Sequence, residues 1–129
     1  MPTDETALCD AFLRGEIDSR EFHHVDHLHV AFHLLRRSSF PDAASDYCRA
    51  LKAIAAGAGR PDAFHMTVTI AFLSLVAERL ESTCDGDFDS FVRANPRVLE
   101  KNALEAVYPA ERLNSGIARR TFILPSAVR

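Results

Sequence analysis

This sequence of 129 residues has few cysteines, no long apolar run and no excess of positive charge. The three cysteines, Cys9, Cys48 and Cys84, are odd in number, far apart and never arranged as a C-x-x-C pair. Such usage argues against a disulfide framework, and nothing nearby in the sequence would activate a catalytic thiol. We expect all three to be small core residues in a reducing cytoplasm.

No apolar run is long enough to span a bilayer. The acidic start MPTDETALCD lacks the basic and apolar segments of a signal peptide. With 15 Lys and Arg against 18 Asp and Glu, the net charge of −3 gives no general attraction to nucleic acid or to anionic membranes. We therefore expect neither of these partners. The formation of a homo-oligomer is compatible with the sequence.

The hydrophobic pattern has the helical period almost everywhere, and strand-like alternation is confined to TFIL near the C-terminus. Start and stop signals predict helices over 4–13, over 24–37, from Pro41 to the Gly57 and Gly59 stop, and from Asp62 to about Glu81. The last third predicts shorter helices in FDSFVRAN, PRVLEKNALEAVY and SGIARRTFI, followed by an irregular tail. The sequence thus predicts an all-α fold, with residues 1–129 forming one helical bundle whose C-terminal part is segmented.

Five of the six histidines lie in the stretch EFHHVDHLHVAFH. In a helix each residue turns about 100° from the previous one, and this sorts the five by face. His24 falls in the apolar stripe of the second helix and His27 at its edge, whereas His23, His29 and His33 are predicted to be solvated. That stripe comprises Val25, Leu28, Ala31, Phe32 and Leu35.

The sixth histidine, His65, falls near the middle of the apolar face of the fourth predicted helix, and Thr69 follows one turn later. An imidazole or a hydroxyl buried without a partner would cost on the order of 1–3 kcal/mol. We therefore expect His24, His27 and His65 to converge inside the bundle. The apolar face includes Val68, Phe72, Val76 and Leu80, and the predicted solvent side includes Thr67, Ser74, Glu78 and Glu81.

Convergence of His24, His27 and His65 would allow three kinds of site. Three neutral imidazoles with an open fourth position suit Fe(II), Zn(II) or Cu. Thr69 would then not bind the metal itself but would interact with the histidine ligands. Without a metal, one histidine could act as a general acid or base near pH 7. The third interpretation is a structural polar core in which every nitrogen is paired.

The C-terminal stretch ERLNSGIARRTF offers a candidate substrate-binding group. Its serine can cap a helix, and Arg119 could hold a carboxylate or phosphate at two points. The alternative is a surface helix in which Arg119 or Arg120 pairs with Glu105 or Glu111. Tyr108 could donate to a bound ligand or be a packing residue.

Three motifs together resemble a family of small uncharacterised bacterial proteins. They are FHHVDHLHVAF, FHMTVTIAFL and LEAVYPAERLNSGIARRTFILPS, and they extend from about Phe22 to Pro125. The family pairs H-x-x-H-[LV]-x-x-A with [YF]-H-E-T-x-T and ends on Y-x-x-E-x-L-x-S-x-x-A-R-x-x-F-x-x-P. Met66 stands where this pattern has Glu, so an activity that needs that Glu would be lost or changed. The resemblance implies no particular reaction, but it does imply which residues match the family pattern. They are His24, His27, His65, Thr67, Thr69, Tyr108, Ser115, Arg119, Phe122 and Pro125.

The leading hypothesis is a small cytoplasmic enzyme that acts on a small anionic molecule. His24, His27, His65 and Thr69 would form its centre, Arg119 and Tyr108 would bind substrate, and the three histidines would hold iron, zinc or copper. Lyase, hydrolytic and oxygen chemistry all fit such a centre. The alternatives are a metal-free histidine acid/base enzyme without a cofactor, and a ligand-binding or interaction module that does no chemistry.

Overall fold

The computed structural model describes residues 4–83, 86–100 and 102–127 and has no β-strand in these ranges, which confirms the all-α prediction. None of the described helices combines the length and the apolar character that crossing a membrane requires. Within these ranges, four short 3₁₀ turns connect the helices, at Ser19–Glu21, Pro61–Ala63, Pro96–Leu99 and Ala103–Ala106. The α-helices are α1 (Asp4–Leu13), α2 (His24–Arg37), α3 (Phe40–Gly57), α4 (Met66–Thr83), α5 (Phe88–Ala94), α6 (Ala110–Leu113) and α7 (Gly116–Arg120).

Side chains that cap exposed backbone amides fix several helix starts. The Ser39 hydroxyl accepts from the amide of Asp42 at the start of α3, and the Asp87 carboxylate accepts from the amide of Ser90 at 2.9 Å. Ser115 caps α7 in the same way. After α3, Gly59 takes φ +74°, which a residue with a side chain rarely adopts, and the chain turns there toward α4.

The core lies between α1, α2, α3 and α4 and is closed at one end by α5. Its largest fully buried side chains include Phe12, Leu28, Phe32, Tyr47 and Leu73. The chain after residue 103 packs as a second layer on α4, where Ala71 contacts a small cluster from the C-terminal segment: Tyr108, Ala118 and Ile123. The predicted segmented C-terminal part is therefore present, and it covers one side of α4.

The predicted face of α2 needs correction. Val25 was expected in the core but is 45% exposed, whereas His29 and His33, expected in solvent, are only partly exposed. The reason is α5, since its first residue Phe88 stacks on the His29 ring with centroids 4.0 Å apart. His23 is exposed, as predicted, and its backbone amide donates to the Asp26 carboxylate at 2.9 Å.

The predicted start and faces of α4 also need correction. The helix begins at Met66, after a 3₁₀ turn, and not at Asp62. Thr67 was expected in solvent but is fully buried, and Val68 was expected in the core but is 36% exposed. The C-terminal segment causes this difference, because the Thr67 hydroxyl donates to the Thr121 carbonyl at 2.8 Å and accepts from the Ile123 amide at 3.1 Å.

Candidate functional site

A cavity of about 690 Å³ lies between α2, α3, α4 and the 3₁₀ turns that flank them. This volume falls within the roughly 300–1,000 Å³ typical of pockets that hold small organic molecules. Its wall is mainly apolar, with aromatic side chains from separate parts of the chain: Phe22, Tyr47, Phe64 and Phe72. A few polar side chains interrupt this wall, and they decide what the cavity can recognise.

The structure brings four of the predicted site residues to this one cavity. His24 and His27 reach it from α2, His65 from the residue before α4, and Thr69 from the first turn of α4. Neither an apolar wall alone nor one histidine alone would distinguish this cavity from a packing defect. An apolar wall with a small number of polar groups on it is the usual composition of a small-molecule site.

His24 is held in one orientation. Its Nε2–H donates to the backbone carbonyl of Val98 at 3.1 Å, and its ring lies against Phe72 with centroids 5.4 Å apart. A carbonyl oxygen only accepts, so Nε2 carries a proton in this hydrogen bond. His24 therefore presents at most one acceptor to the cavity.

His27 differs from its neighbour because neither of its ring nitrogens hydrogen-bonds to any residue that the structure describes. Its ring packs on Phe22 with centroids 4.3 Å apart. Burial and, after it, the proximity of His24 lower the pKa of His27 from 6.5 to about 4, while Asp26 acts in the opposite direction. His27 is therefore neutral at physiological pH and can both donate and accept.

His65 has both nitrogens in use. Nδ1 accepts the Val68 amide at 3.1 Å and so caps the start of α4, and Nε2–H donates to the Leu113 carbonyl at 2.7 Å. The sequence placed this residue inside the helix, and the structure places it just before the first turn. One imidazole thereby links the cavity wall to the C-terminal segment.

The side chains do not fit the predicted three-histidine metal centre. A metal ligand needs a lone pair aimed at the ion, and both nitrogens of His65 are occupied by backbone groups. Within the described ranges, no three His, Cys, Asp or Glu side chains lie close enough together to hold a metal ion.

Thr69 is 7% exposed, and its hydroxyl makes no hydrogen bond to a described residue. Its link to His65 runs through the backbone, where the Thr69 amide donates to the His65 carbonyl at 3.0 Å. In addition to His27, the Thr69 hydroxyl is thus a second neutral polar group that could hydrogen-bond to a ligand in the cavity.

The two predicted substrate-binding residues lie outside the cavity lining. The Tyr108 hydroxyl is buried and donates to the Ile123 carbonyl at 2.8 Å. Arg119 is exposed, and its Nη1 donates to the Asp62 carbonyl at 3.2 Å. Both bonds connect segments of backbone, so the structure gives these side chains a part in holding the C-terminal segment in place.

Three charged residues that are not among the predicted site residues lie at the cavity mouth, and they are Arg20, Arg60 and Glu100. Arg60 follows the Gly59 turn and is exposed, and Glu100 ends the 3₁₀ turn Pro96–Leu99 and is exposed as well. Neither belongs to a periodic pattern. The only signal was that Arg60 stands between a helix-ending glycine and a proline, where side chains often border a site.

Comparison with protein-family models, with curated proteins and with solved structures found no match for this chain. The fold and the cavity alone therefore define its class: an all-α protein with an apolar pocket that carries a few polar groups and opens to solvent.

Proposed function

We propose that this protein binds a small organic molecule with an anionic group and an apolar body in the cavity between α2, α3 and α4. The observation that supports this most strongly is the cavity's combination of a mainly apolar wall with Arg60 at its mouth. Apolar walls favour a ligand body that leaves water, at roughly 25 cal/mol for each Å² buried. The charged group of such a ligand would remain at the solvent side.

Arg60 is the residue best suited to hold the anionic group. The other arginine at the mouth, Arg20, is already bound to Asp18, with Nε 3.2 Å and Nη2 3.0 Å from its two carboxylate oxygens. The Arg60 guanidinium makes no ion pair or hydrogen bond with a described residue. Its planar donors match a carboxylate or phosphate at two points.

Replacing Arg60 by glutamine is expected to weaken binding of 3-phenylpropionate about tenfold to a hundredfold, since a hydrogen bond to a charged group contributes about 1.5–3 kcal/mol. Isothermal titration calorimetry would measure this, and displacement of anilinonaphthalene sulfonate fluorescence would check it independently. Arg93→Gln is the matched control, because Arg93 is exposed on α5 and outside the cavity lining.

Equal affinities of wild type and Arg60→Gln would show that Arg60 does not hold the anion. If 3-phenylpropionate, octanoate, anilinonaphthalene sulfonate and phenylalanine all fail to bind wild type with a Kd below about 1 mM, the proposed function is wrong.

Proton transfer by His27 is a second candidate function. It is favoured by a neutral imidazole on the cavity wall whose two nitrogens hydrogen-bond to none of the described residues. The lowered pKa keeps the imidazole neutral at physiological pH, so it can accept a proton from a bound ligand. His27 would take a proton from a carbon next to a carbonyl and return it, as in an isomerisation.

If His27 transfers protons, wild-type protein should accelerate deuterium incorporation at C3 of phenylpyruvate in D₂O at least tenfold, about the lower end of general-base catalysis. Proton NMR would follow the exchange. His27→Gln keeps a polar side chain and should abolish the acceleration while retaining binding of 3-phenylpropionate. An equal rate of deuterium exchange in wild type and His27→Gln would show that His27 does not transfer protons, and only the binding function would remain.

We further propose that the protein works in a reducing compartment such as the cytoplasm. Cys9 and Cys48 are free thiols, and burial raises the pKa of each. Such thiols are poor nucleophiles, which agrees with a packing role. Cys84 lies outside the described residues.

A further inference from the structure

Arg60 and Glu100 both line the mouth of the cavity, and both side chains are exposed. The third charged residue there, Arg20, is already paired with Asp18, so the two opposite charges of Arg60 and Glu100 restrict the class of ligand. They do not form an ion pair with each other, and neither is paired with another described residue. As far as the described part of the chain is concerned, each charge is therefore left for solvent or for a ligand.

The backbone holds both residues in defined positions. The Arg60 amide donates to the Ala55 carbonyl at 2.9 Å, and the Arg60 carbonyl accepts from the Ala63 amide at 2.9 Å. The Glu100 amide donates to the Arg97 carbonyl at 3.1 Å, and its carbonyl accepts from the Ala103 amide at 3.2 Å. These bonds fix the two backbone positions from which the charged side chains extend at the edge of the cavity.

A ligand with only a negative charge would meet Glu100 as well as Arg60. Next to an apolar wall, charges act on one another more strongly than in bulk water, so the Glu100 carboxylate would oppose such a ligand. A ligand that also carries a positive group would turn this repulsion into attraction. His27 and Thr69, which also line the cavity, are neutral and add no charge that would alter this balance.

We infer that the cavity takes a zwitterion, a molecule with an ammonium and a carboxylate at its polar end and an apolar body that enters the pocket. Arg60 would bind the carboxylate and Glu100 the ammonium. This inference rests on the proposed function and specifies the ligand class of the same site.

Calorimetric titration with three probes that share one carbon skeleton tests the inference: 3-phenylpropionate, 3-phenylpropylamine and phenylalanine. In wild type, phenylalanine should bind at least tenfold more tightly than either singly charged probe. 8-Aminooctanoate, whose ammonium and carboxylate are seven methylenes apart, tests whether Arg60 and Glu100 bind a zwitterion with distant charges better than one with adjacent charges.

Glu100→Gln should weaken the zwitterion at least tenfold and leave 3-phenylpropionate unchanged or slightly tighter. Glu105→Gln is the matched control, because Glu105 is exposed on the next 3₁₀ turn and outside the cavity lining. If neither zwitterion exceeds 3-phenylpropionate, or if Glu100→Gln weakens both classes equally, the zwitterion inference is wrong. Binding of 3-phenylpropionate that depends on Arg60 would then still support the proposed function, whereas no binding by any probe would overturn both.

Discussion

Replacing Thr67 by valine is expected to lower the free energy of unfolding by about 2–4 kcal/mol. The shape of the side chain is nearly kept, but the hydroxyl that bonds two backbone groups of the C-terminal segment is lost. The amide of Ile123 would be buried without a partner, and the Thr121 carbonyl would lose its donor. Urea denaturation followed by circular dichroism at 222 nm measures the change.

Thr67→Ser is the matched control for this prediction. It keeps the hydroxyl and removes one methyl group from a fully buried site, so the expected loss is about 1 kcal/mol. Should the valine variant prove as stable as the serine variant, these two hydrogen bonds would not hold the C-terminal segment on α4.

Acid is expected to destabilise the protein through His27. The pKa of His27 is about 4 in the folded chain against 6.5 ordinarily, so between these values the unfolded chain binds a proton that the folded chain does not. The contribution of neutral His27 is therefore fully present above about pH 6.5 and is lost as the pH falls toward about 4. Across that window it amounts to about 3 kcal/mol.

Urea denaturation at about pH 7 and about pH 4.5 would isolate this contribution when wild type is compared with His27→Gln. Glutamine does not titrate, so the variant should lose about 2–3 kcal/mol less on acidification than wild type. His23→Gln removes an exposed imidazole at the start of the same helix and serves as the control. If both variants lose stability in acid to the same extent as wild type, burial of His27 is not the source.

The elements of this fold could be predicted because local signals set them. The apolar period, Pro41 near the start of α3 and Gly57 at its end act within a few residues, and α1 and α2 have the predicted bounds. The faces of α2 and α4 were less predictable, because each helix is covered from more than one side. Thr67 is buried because residues 121 and 123 pack on it, and the spacing of apolar residues within α4 does not predict this contact.

The candidate site was partly predictable for the same reason. Helical geometry selected His24 and His27, and the structure places both on the cavity. The role of His65 depends on the carbonyl of Leu113, 48 residues away, and on its own position before the helix. Arg60 and Glu100 belong to connecting turns, where no periodicity marks a side chain, and their importance comes only from the cavity beside them.

The hydrogen bonds that complete the cavity wall also bear on the order of folding. His24 bonds to a residue 74 positions later and His65 to one 48 positions later. Closing such long loops costs entropy before these contacts can offset it, whereas α1 to α4 can associate through contacts between successive helices. The ligand pocket should therefore become complete only when the last third of the chain docks, and a chain still emerging from the ribosome would acquire its core before its binding site.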